Sequence, residues 1–544
     1  MSLSLLLGFG LARALSAGDD LRSNLDLFSN VLYLVQNNYV EAPDNEKLIK
    51  GAIDGMLKTL DPHSVFLPEK RAQVMDEQFH GEYSGIGVQF DLQENKIVVI
   101  SPLEGTPAYR LGIRAGDKII EIDDKPLKKN INNEDVFKLL RGPNGSTVSV
   151  TIEREAEEEH LHFTIERAKI PIESIPYAYM IRPGVGYVRI IRFAQTTGDE
   201  LEASIAKLRG QGMKSLLIDL RSNSGGLLSQ AVDVLDQIVP DNKRLVYTRG
   251  RITSSNADYY STNRPGKWTD GAIVVLVDHG SASASEIVGG AVQELDRGLV
   301  VGINTFGKGL VQNQMNLSQG KLLLTIARYY TPSGRGIQRD YTKFGDQSEY
   351  QEDAYREDVP SDSALQARPK FKTATGRIVY GGGGIYPDVI IKDPPFLTRP
   401  EVELITKRVA FEFATHYVTR HPGTAWKPES FDQRFQLTPD EWTNLRTIAT
   451  NKKIVLNDST WTAEKPFLMR QVRAELASAT LGSLERYRIA VEDDPQLNAA
   501  LEMFPRAQKL MAAGAGARSE PGPVDPPAKD PRKSAAADEK ERRK

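Results

Sequence analysis

The sequence predicts a protein of several domains, with an α/β core in its middle, a small α+β domain ahead of it and helical segments at both ends. Three observations lead there. Residues 184–340 alternate short apolar runs with helical stripes, the pattern of an α/β core with sites at strand ends. Residues 83–167 carry short strands parted by glycine turns. The flanking stretches repeat their apolar residues at helical spacing. With 544 residues the chain exceeds one ordinary core, and 40% hydrophobic with 26% charged residues is a globular composition.

Composition also excludes some functions. A net charge of -3 offers no electrostatic footprint for nucleic acid. The chain has no cysteine, so a cysteine nucleophile, a thiolate metal site and a disulfide framework are all ruled out.

In chain order, residues 1–18 set Leu3, Leu5, Leu6, Leu7, Phe9 and Leu11 ahead of Ala12-Arg13-Ala14. An apolar run followed by small residues is the form of a signal peptide, although no Lys or Arg precedes Arg13. The run is too short for an ordinary membrane span. It predicts an exported protein, periplasmic or membrane-associated; a plain N-terminal helix is the alternative. In residues 19–80, Leu25, Phe28, Leu32, Val35 and Tyr39 form one helical stripe, and Leu48, Ile49, Ile53, Met56 and Leu57 a second. Such stripes are expected to pack into a core, with a homo-oligomer contact as the alternative. Asp61-Pro62-His63 is expected to cap and turn the chain.

Residues 81–168 hold strands at 86–92, 97–100, 118–122 and 147–153 and a helix at 133–140. In residues 169–395, apolar strands fall at 215–220, 272–277, 299–302 and 322–327. Leu228, Ala231, Val232 and Leu235 make one helical face, and Ile287, Val288, Ala291 and Val292 another. Residues 396–510 are mainly helical, with a capping box and a first-position proline in Thr438-Pro439-Asp440-Glu441. Residues 511–544 are rich in Pro, Ala, Lys and Asp and read as a disordered tail.

Two short stretches carry chemistry. Gly280-Ser281-Ala282-Ser283-Ala284-Ser285-Glu286 sets serines at the mouth of a helix, and Phe306-Gly307-Lys308-Gly309-Leu310-Val311-Gln312 delivers one lysine in a glycine-flanked loop. A serine hydroxyl needs a base to become a nucleophile, and a desolvated lysine can supply it. The three serines alternate, so residue physics alone does not choose among them. Ser283 and Glu286 have capping-box spacing, which would set Ser283 at the positive end of a helix. The same spacing fits a purely structural cap. Gln312 could orient the lysine without adding charge. His279 near Ser283 reads as a turn residue. Ser224 sits in a glycine loop without the partners of a His-dependent triad. His160 and His162 lack a third metal ligand and read as a solvated hairpin.

Tyr83-Ser84-Gly85-Ile86-Gly87-Val88 and Pro107 to Ile122 resemble a PDZ domain. Asp124 stands where that family commonly has glycine. The resemblance implies that the loop of Ser84, Gly85, Ile86 and Gly87 presents N–H groups to a peptide's terminal carboxylate. The peptide would add a strand beside Val88 and Phe90, with Val136 and Leu140 lining its side-chain pocket. Together with Leu220 to Gly226, the serine run, Phe306 to Gln312, Leu60 to Ser64, Tyr329 to Gly334 and Gly384 to Asp388, the chain resembles the carboxyl-terminal processing (tail-specific) serine proteases over roughly residues 25–395.

That resemblance implies a crotonase-like α/β core. It implies an endopeptidase cleaving proteins near their C-terminus, with Ser283 as nucleophile, Lys308 as general base, Gln312 supporting it, and the amides of Ala284 and Gly226 as oxyanion hole. It requires neither metal nor organic cofactor. The implied partners are protein substrates with free, apolar C-terminal tails. Glu294 replaces a common aspartate, and Ile303-Asn304 replaces a commoner acidic residue. The alternative function is a non-catalytic PDZ scaffold that binds protein C-termini.

Overall fold

The computed structural model describes residues 2–93, 95–155, 157–344, 347–356, 362–392, 396–515 and 522–523. Of residues 2–19, 347, 356, 362, 515 and 522–523 only the backbone is described. The chain divides into two compact units: residues 1–72 with 312–325, and residues 73–311 with 326–544.

The first unit begins with helices Ser2–Asn38 and Asn45–Lys58, the latter capped by Asp44. The Asp61 turn forms as expected: Oδ1 accepts the N–H groups of His63 and Ser64, both at 2.8 Å, and Oδ2 accepts the Ser64 hydroxyl at 2.7 Å. Two expectations are corrected here. Val65–Pro68 is a strand, paired antiparallel with residues 320–323, inside a stretch read as helical. Its partner lies far along the chain, beyond the reach of local periodicity. The first stripe is not core either, since Leu25 and Phe28 are 56% and 46% exposed. Of the segment 1–18, expected to be a signal peptide, residues 2–18 are helical in backbone, and their side chains lie outside the described residues. No helix among the described residues is long and apolar enough to cross a membrane.

The second unit holds several hydrophobic cores among the described residues. An antiparallel sheet runs Val88–Gln93, Lys96–Pro102, Lys118–Ile122, Thr147–Glu153, Leu161–Glu166, closed by helix Asn133–Leu140. Ile97, Val99, Ile119, Val136, Val148 and Ile165 fill it. Buried Asp117 takes Arg154 in a fork of two 2.8 Å bonds, which ties the glycine-rich turn before it to the sheet. Asp123 and Asp124 both sit at positive φ, a conformation that aspartate tolerates where glycine is common.

The central sheet runs Tyr177–Arg182, Val185–Arg189, Ser215–Asp219, Ala272–Val277, Gly298–Gly302, Val389–Ile390; the first pair is antiparallel and the rest are parallel. Alternation along each strand divides its side chains between two faces. Ile218, Ile273, Val275 and Val300 pack with helices Thr197–Gly210, Leu228–Ile238 and Ala284–Glu294. Leu217, Val274, Leu276 and Val301 pack with Leu497, Leu501 and Phe504 of the C-terminal helices.

Those helices begin at Arg399–Thr406 and Val409–Arg420 and end at Phe504–Ala515, past the expected boundary at 510. Apart from residues 511–515 and the paired Gly522–Pro523, the predicted disordered tail lies outside the described residues. Another core gathers Phe413, Phe431, Leu445, Trp461 and Val472. Thr438 forms the expected capping box with Glu441.

Candidate active site

Strand Ala272–Val277 feeds helix Ala284–Glu294 through the serine run, and the three serines part company there. Ser281 is fully buried and donates to the Leu220 carbonyl at 2.8 Å. Ser285 is fully buried and donates to the Asn223 carbonyl at 2.8 Å. Both hydroxyls are spent pinning the neighbouring loop. Ser283 is only partly buried and sits at φ 55°, ψ -112°, a conformation costly for a side chain with a Cβ. Its N–H donates to Glu286 Oε2 at 2.7 Å. The Glu286 N–H in turn goes to the Ser283 carbonyl, at 2.9 Å, and the Ser283 hydroxyl makes no cap bond.

The loop after Ser215–Asp219 runs against this turn. A Cβ on Gly225 would lie 2.8 Å from that of Ser283 and 3.0 Å from the Ala284 nitrogen, so only glycine fits. Among the described residues, neither the Ala284 N–H nor the Gly226 N–H donates to a protein acceptor. One is the first N–H of a helix, and the other belongs to the loop lying against it.

Lys308 lies in the loop between Gly298–Gly302 and Leu310–Leu317 and is half-buried. Its glycine neighbours permit close approach. A Cβ on Gly307 would meet the Gly384 nitrogen at 3.0 Å, and one on Gly309 the Gln338 nitrogen at 2.9 Å.

The group tying the serine turn to the lysine loop is Glu286. Fully buried, it accepts the Thr305 hydroxyl (2.6 Å) and the N–H groups of Gly307 (2.7 Å), Lys308 (2.9 Å) and Ser283 (2.7 Å). Burial pushes its carboxyl above the ordinary glutamate range, and the four donors offset only part of that. The buried Tyr329 hydroxyl lies between the carbonyls of Ser283, at 3.0 Å, and Lys308. Sequence reasoning missed both tethers. Ser-x-x-Glu spacing suggested a local cap, whereas the carboxylate also reaches 22 residues ahead.

Gln312 belongs to the first unit, where its amide nitrogen donates to the His63 carbonyl at 2.6 Å. Glu294 is fully buried against Arg335 at 2.7 Å and also accepts Thr331 and Ser333. Asn304 donates to the Gly383 carbonyl at 2.8 Å. Ser224 is exposed, and His162 Nδ1 lies 3.2 Å from the Thr151 hydroxyl.

In the small α+β domain, Ser84 and Gly85 pair with Lys169 and Ala168. The Ile86 side chain is buried, and its carbonyl accepts from Ala108 at 3.0 Å. Gly87 has φ 81°, and a Cβ there would lie 2.3 Å from Thr106. Val88 opens an edge strand whose outer side has no strand partner among the described residues. Val136 and Leu140 are buried in the domain core rather than open to a groove. The exposed ring of that helix is Phe137, set edge-on to Phe90 of the edge strand at 5.5 Å.

Residues 184–343 match peptidase family S41, residues 98–154 a PDZ domain, and residues 12–71 the N-terminal domain of the activating protease CtpB. A carboxy-terminal-processing protease of Bartonella bacilliformis is 39% identical over 317 residues, 57% of this chain and 72% of that protein. The carboxy-terminal processing protease CtpB of Bacillus subtilis is 34% identical over 322 residues, 58% of this chain and 66% of its own. Among solved structures, a photosystem II D1 C-terminal processing protease is 26% identical, covering 66% of this chain and 85% of its own, with a TM-score of 0.34.

Proposed function

Because the chain belongs to the carboxy-terminal-processing serine peptidases of family S41, we propose that it cleaves proteins near their C-termini with Ser283 as nucleophile and Lys308 as general base. Membership of a peptidase family favours this reading over the non-catalytic scaffold. The observation that carries the reading is the inequality of the three serines. Two hydroxyls are consumed by buried bonds, and the third stands on strained backbone beside two N–H groups without protein acceptors among the described residues.

In the proposed reaction, neutral Lys308 takes the Ser283 proton as Oγ attacks the scissile carbonyl. The carbonyl oxygen becomes an oxyanion held by the Ala284 and Gly226 N–H groups. Lysine then protonates the leaving amine, and water hydrolyses the acyl-enzyme. Gln312 is assigned the support of the lysine. The Glu286 carboxylate and the Tyr329 hydroxyl support the pairing, since each bonds to backbone groups of both Ser283 and Lys308.

The PDZ domain is assigned to the substrate's free, apolar tail, taken as an added strand on the open edge of Val88–Gln93 with the terminal carboxylate at the Ser84–Gly87 turn. Binding there requires the Phe90–Phe137 contact to part. The parallel central sheet supports a crotonase-like core for residues 169–395, following the PDZ domain at 81–168. The exposed apolar stripe of helix Ser2–Asn38 supports assembly with a second copy, and the apolar N-terminus supports export.

The test is single alanine replacement of Ser281, Ser283, Ser285 and Lys308, followed by cleavage of an unfolded protein with an apolar tail. Turnover is expected to collapse for Ser283→Ala and Lys308→Ala in folded protein. Full activity in either would refute the assignment.

A further inference from the structure

Strand Ser215–Asp219 ends where the loop to Gly226 departs, and a buried charge cluster sits at that point. Asp219 has no exposed surface; its Oδ2 is ion-paired with Arg189 at 2.8 Å and accepts Arg221 at 2.7 Å and the Tyr187 hydroxyl at 2.8 Å. Burial pushes its carboxyl up, but the two guanidinium groups more than offset that and hold it below the ordinary aspartate range. One carboxylate cannot balance two guanidinium groups. The second anion comes from the C-terminal helices: Asp494 Oδ2 lies 2.7 Å from Arg221 Nη1, and Gln496 Oε1 lies 3.1 Å from the same nitrogen.

The same helices supply Tyr487, whose hydroxyl is 2.6 Å from that of Tyr187. An ionised carboxylate only accepts, so Tyr187 donates to Asp219, and Tyr487 must donate to Tyr187. The Tyr487 ring stacks on Tyr177 at 3.9 Å. Asp494, Gln496 and Tyr487 all lie outside the matched S41 segment 184–343.

From Arg221 onward the loop has little slack. The Ser222 N–H donates to Asp278 at 2.7 Å, the Asn223 side chain bonds the Ile190 carbonyl at 2.8 Å and the Gly225 N–H at 2.9 Å, and Gly225 abuts Ser283. A shift at Arg221 is passed along these bonds to Gly226.

We propose that Asp494 and Tyr487 are positioning residues of this peptidase: by balancing and orienting Arg221 they fix the loop that presents the Gly226 N–H to the oxyanion. The proposal rests on the Ser283/Lys308 reading. It gives the C-terminal helices a part in turnover beyond covering the sheet.

Two variants separate positioning from folding. Asp494→Asn keeps the cap that Asp494 Oδ1 forms with the Leu497 N–H, since asparagine caps as well, and replaces the charged acceptor facing Arg221 with an uncharged NH₂ donor. Tyr487→Phe keeps the ring stack and removes only the donor. Full-length wild type, both variants and Ser283→Ala are compared for thermal unfolding and for kcat and KM on an unfolded, apolar-tailed protein, with active sites counted by acyl-enzyme burst. Misplacement of an oxyanion donor predicts kcat lower by about ten-fold in Asp494→Asn and about three-fold in Tyr487→Phe, with KM within about two-fold of wild type. Wild-type kcat in both folded variants, or a change confined to KM, overturns the proposal. If Asp494→Asn does not fold, Tyr487→Phe decides alone. Turnover by Ser283→Ala would instead overturn the reading beneath it.

Discussion

Replacing Glu286 by glutamine tests whether one buried carboxylate sets the geometry of the site. The carboxylate offers each oxygen to two donors: Oε1 to the Thr305 hydroxyl and the Gly307 N–H, Oε2 to the N–H groups of Ser283 and Lys308. Glutamine keeps one such oxygen. Its NH₂ group then opposes either the N–H groups of Ser283 and Lys308 or, with the amide turned over, the Gly307 N–H beside the Thr305 hydroxyl, at a fully buried position. Each buried donor left unsatisfied costs about 1–3 kcal/mol, so the change costs at least about 1–3 kcal/mol in local order. In either case the misfit falls on the backbone of the serine turn or of the lysine loop. A displacement of about 1 Å between reacting groups costs roughly a hundred-fold in rate.

The assay is kcat on an apolar-tailed unfolded protein beside thermal unfolding across pH. Because burial raises the Glu286 carboxyl, its contribution to stability is full below the ordinary glutamate value and lost as pH rises through the folded value. Glutamine does not titrate, so that slope disappears in the variant. Wild-type kcat together with an unchanged stability profile would refute the hub role.

Three further outcomes follow from the same geometry. Gly225→Ala forces a Cβ to 2.8 Å from both the Ser283 Cβ and the Ala282 carbonyl oxygen at φ 100°, and is expected to lower kcat by about a hundred-fold while circular dichroism stays native. Phe137→Ala removes an aromatic contact worth about 1 kcal/mol and is expected to tighten binding of an apolar tail peptide by up to about five-fold, read by calorimetry; weaker binding would put the ring in the binding surface instead. Asp219→Asn breaks a buried cluster and is expected to cost about 3–5 kcal/mol. Since the Asp219 carboxyl is held low, its stabilisation is present above the ordinary aspartate value and lost as pH falls through the folded value, so the variant's denaturation curves flatten in that acidic window.

Much of the architecture was legible because local patterns carried it. The runs at 215–220 and 272–277 became parallel strands, and Thr438 with Glu441 capped its helix as spaced. What escaped depended on long-range partners. Val65–Pro68 became a strand through residues 320–323, which no window around it contains. Leu25 and Phe28 form a stripe that this single chain leaves exposed. At the site, serine alternation marked the right turn but not which hydroxyls are spent, because the acceptors are the carbonyls of Leu220 and Asn223, some 60 residues upstream. Glu286 and Tyr329 were hidden for the same reason, each bonding across the fold rather than along the chain.

The central claim is that a single activated hydroxyl forms the acyl-enzyme. Full-length protein treated with a slowly released acylating peptide and digested for tandem mass spectrometry is expected to carry the acyl group on Ser283 alone, and to carry none after Lys308→Ala. An adduct on Ser281, Ser285 or His279, or undiminished labelling without the lysine, would contradict it.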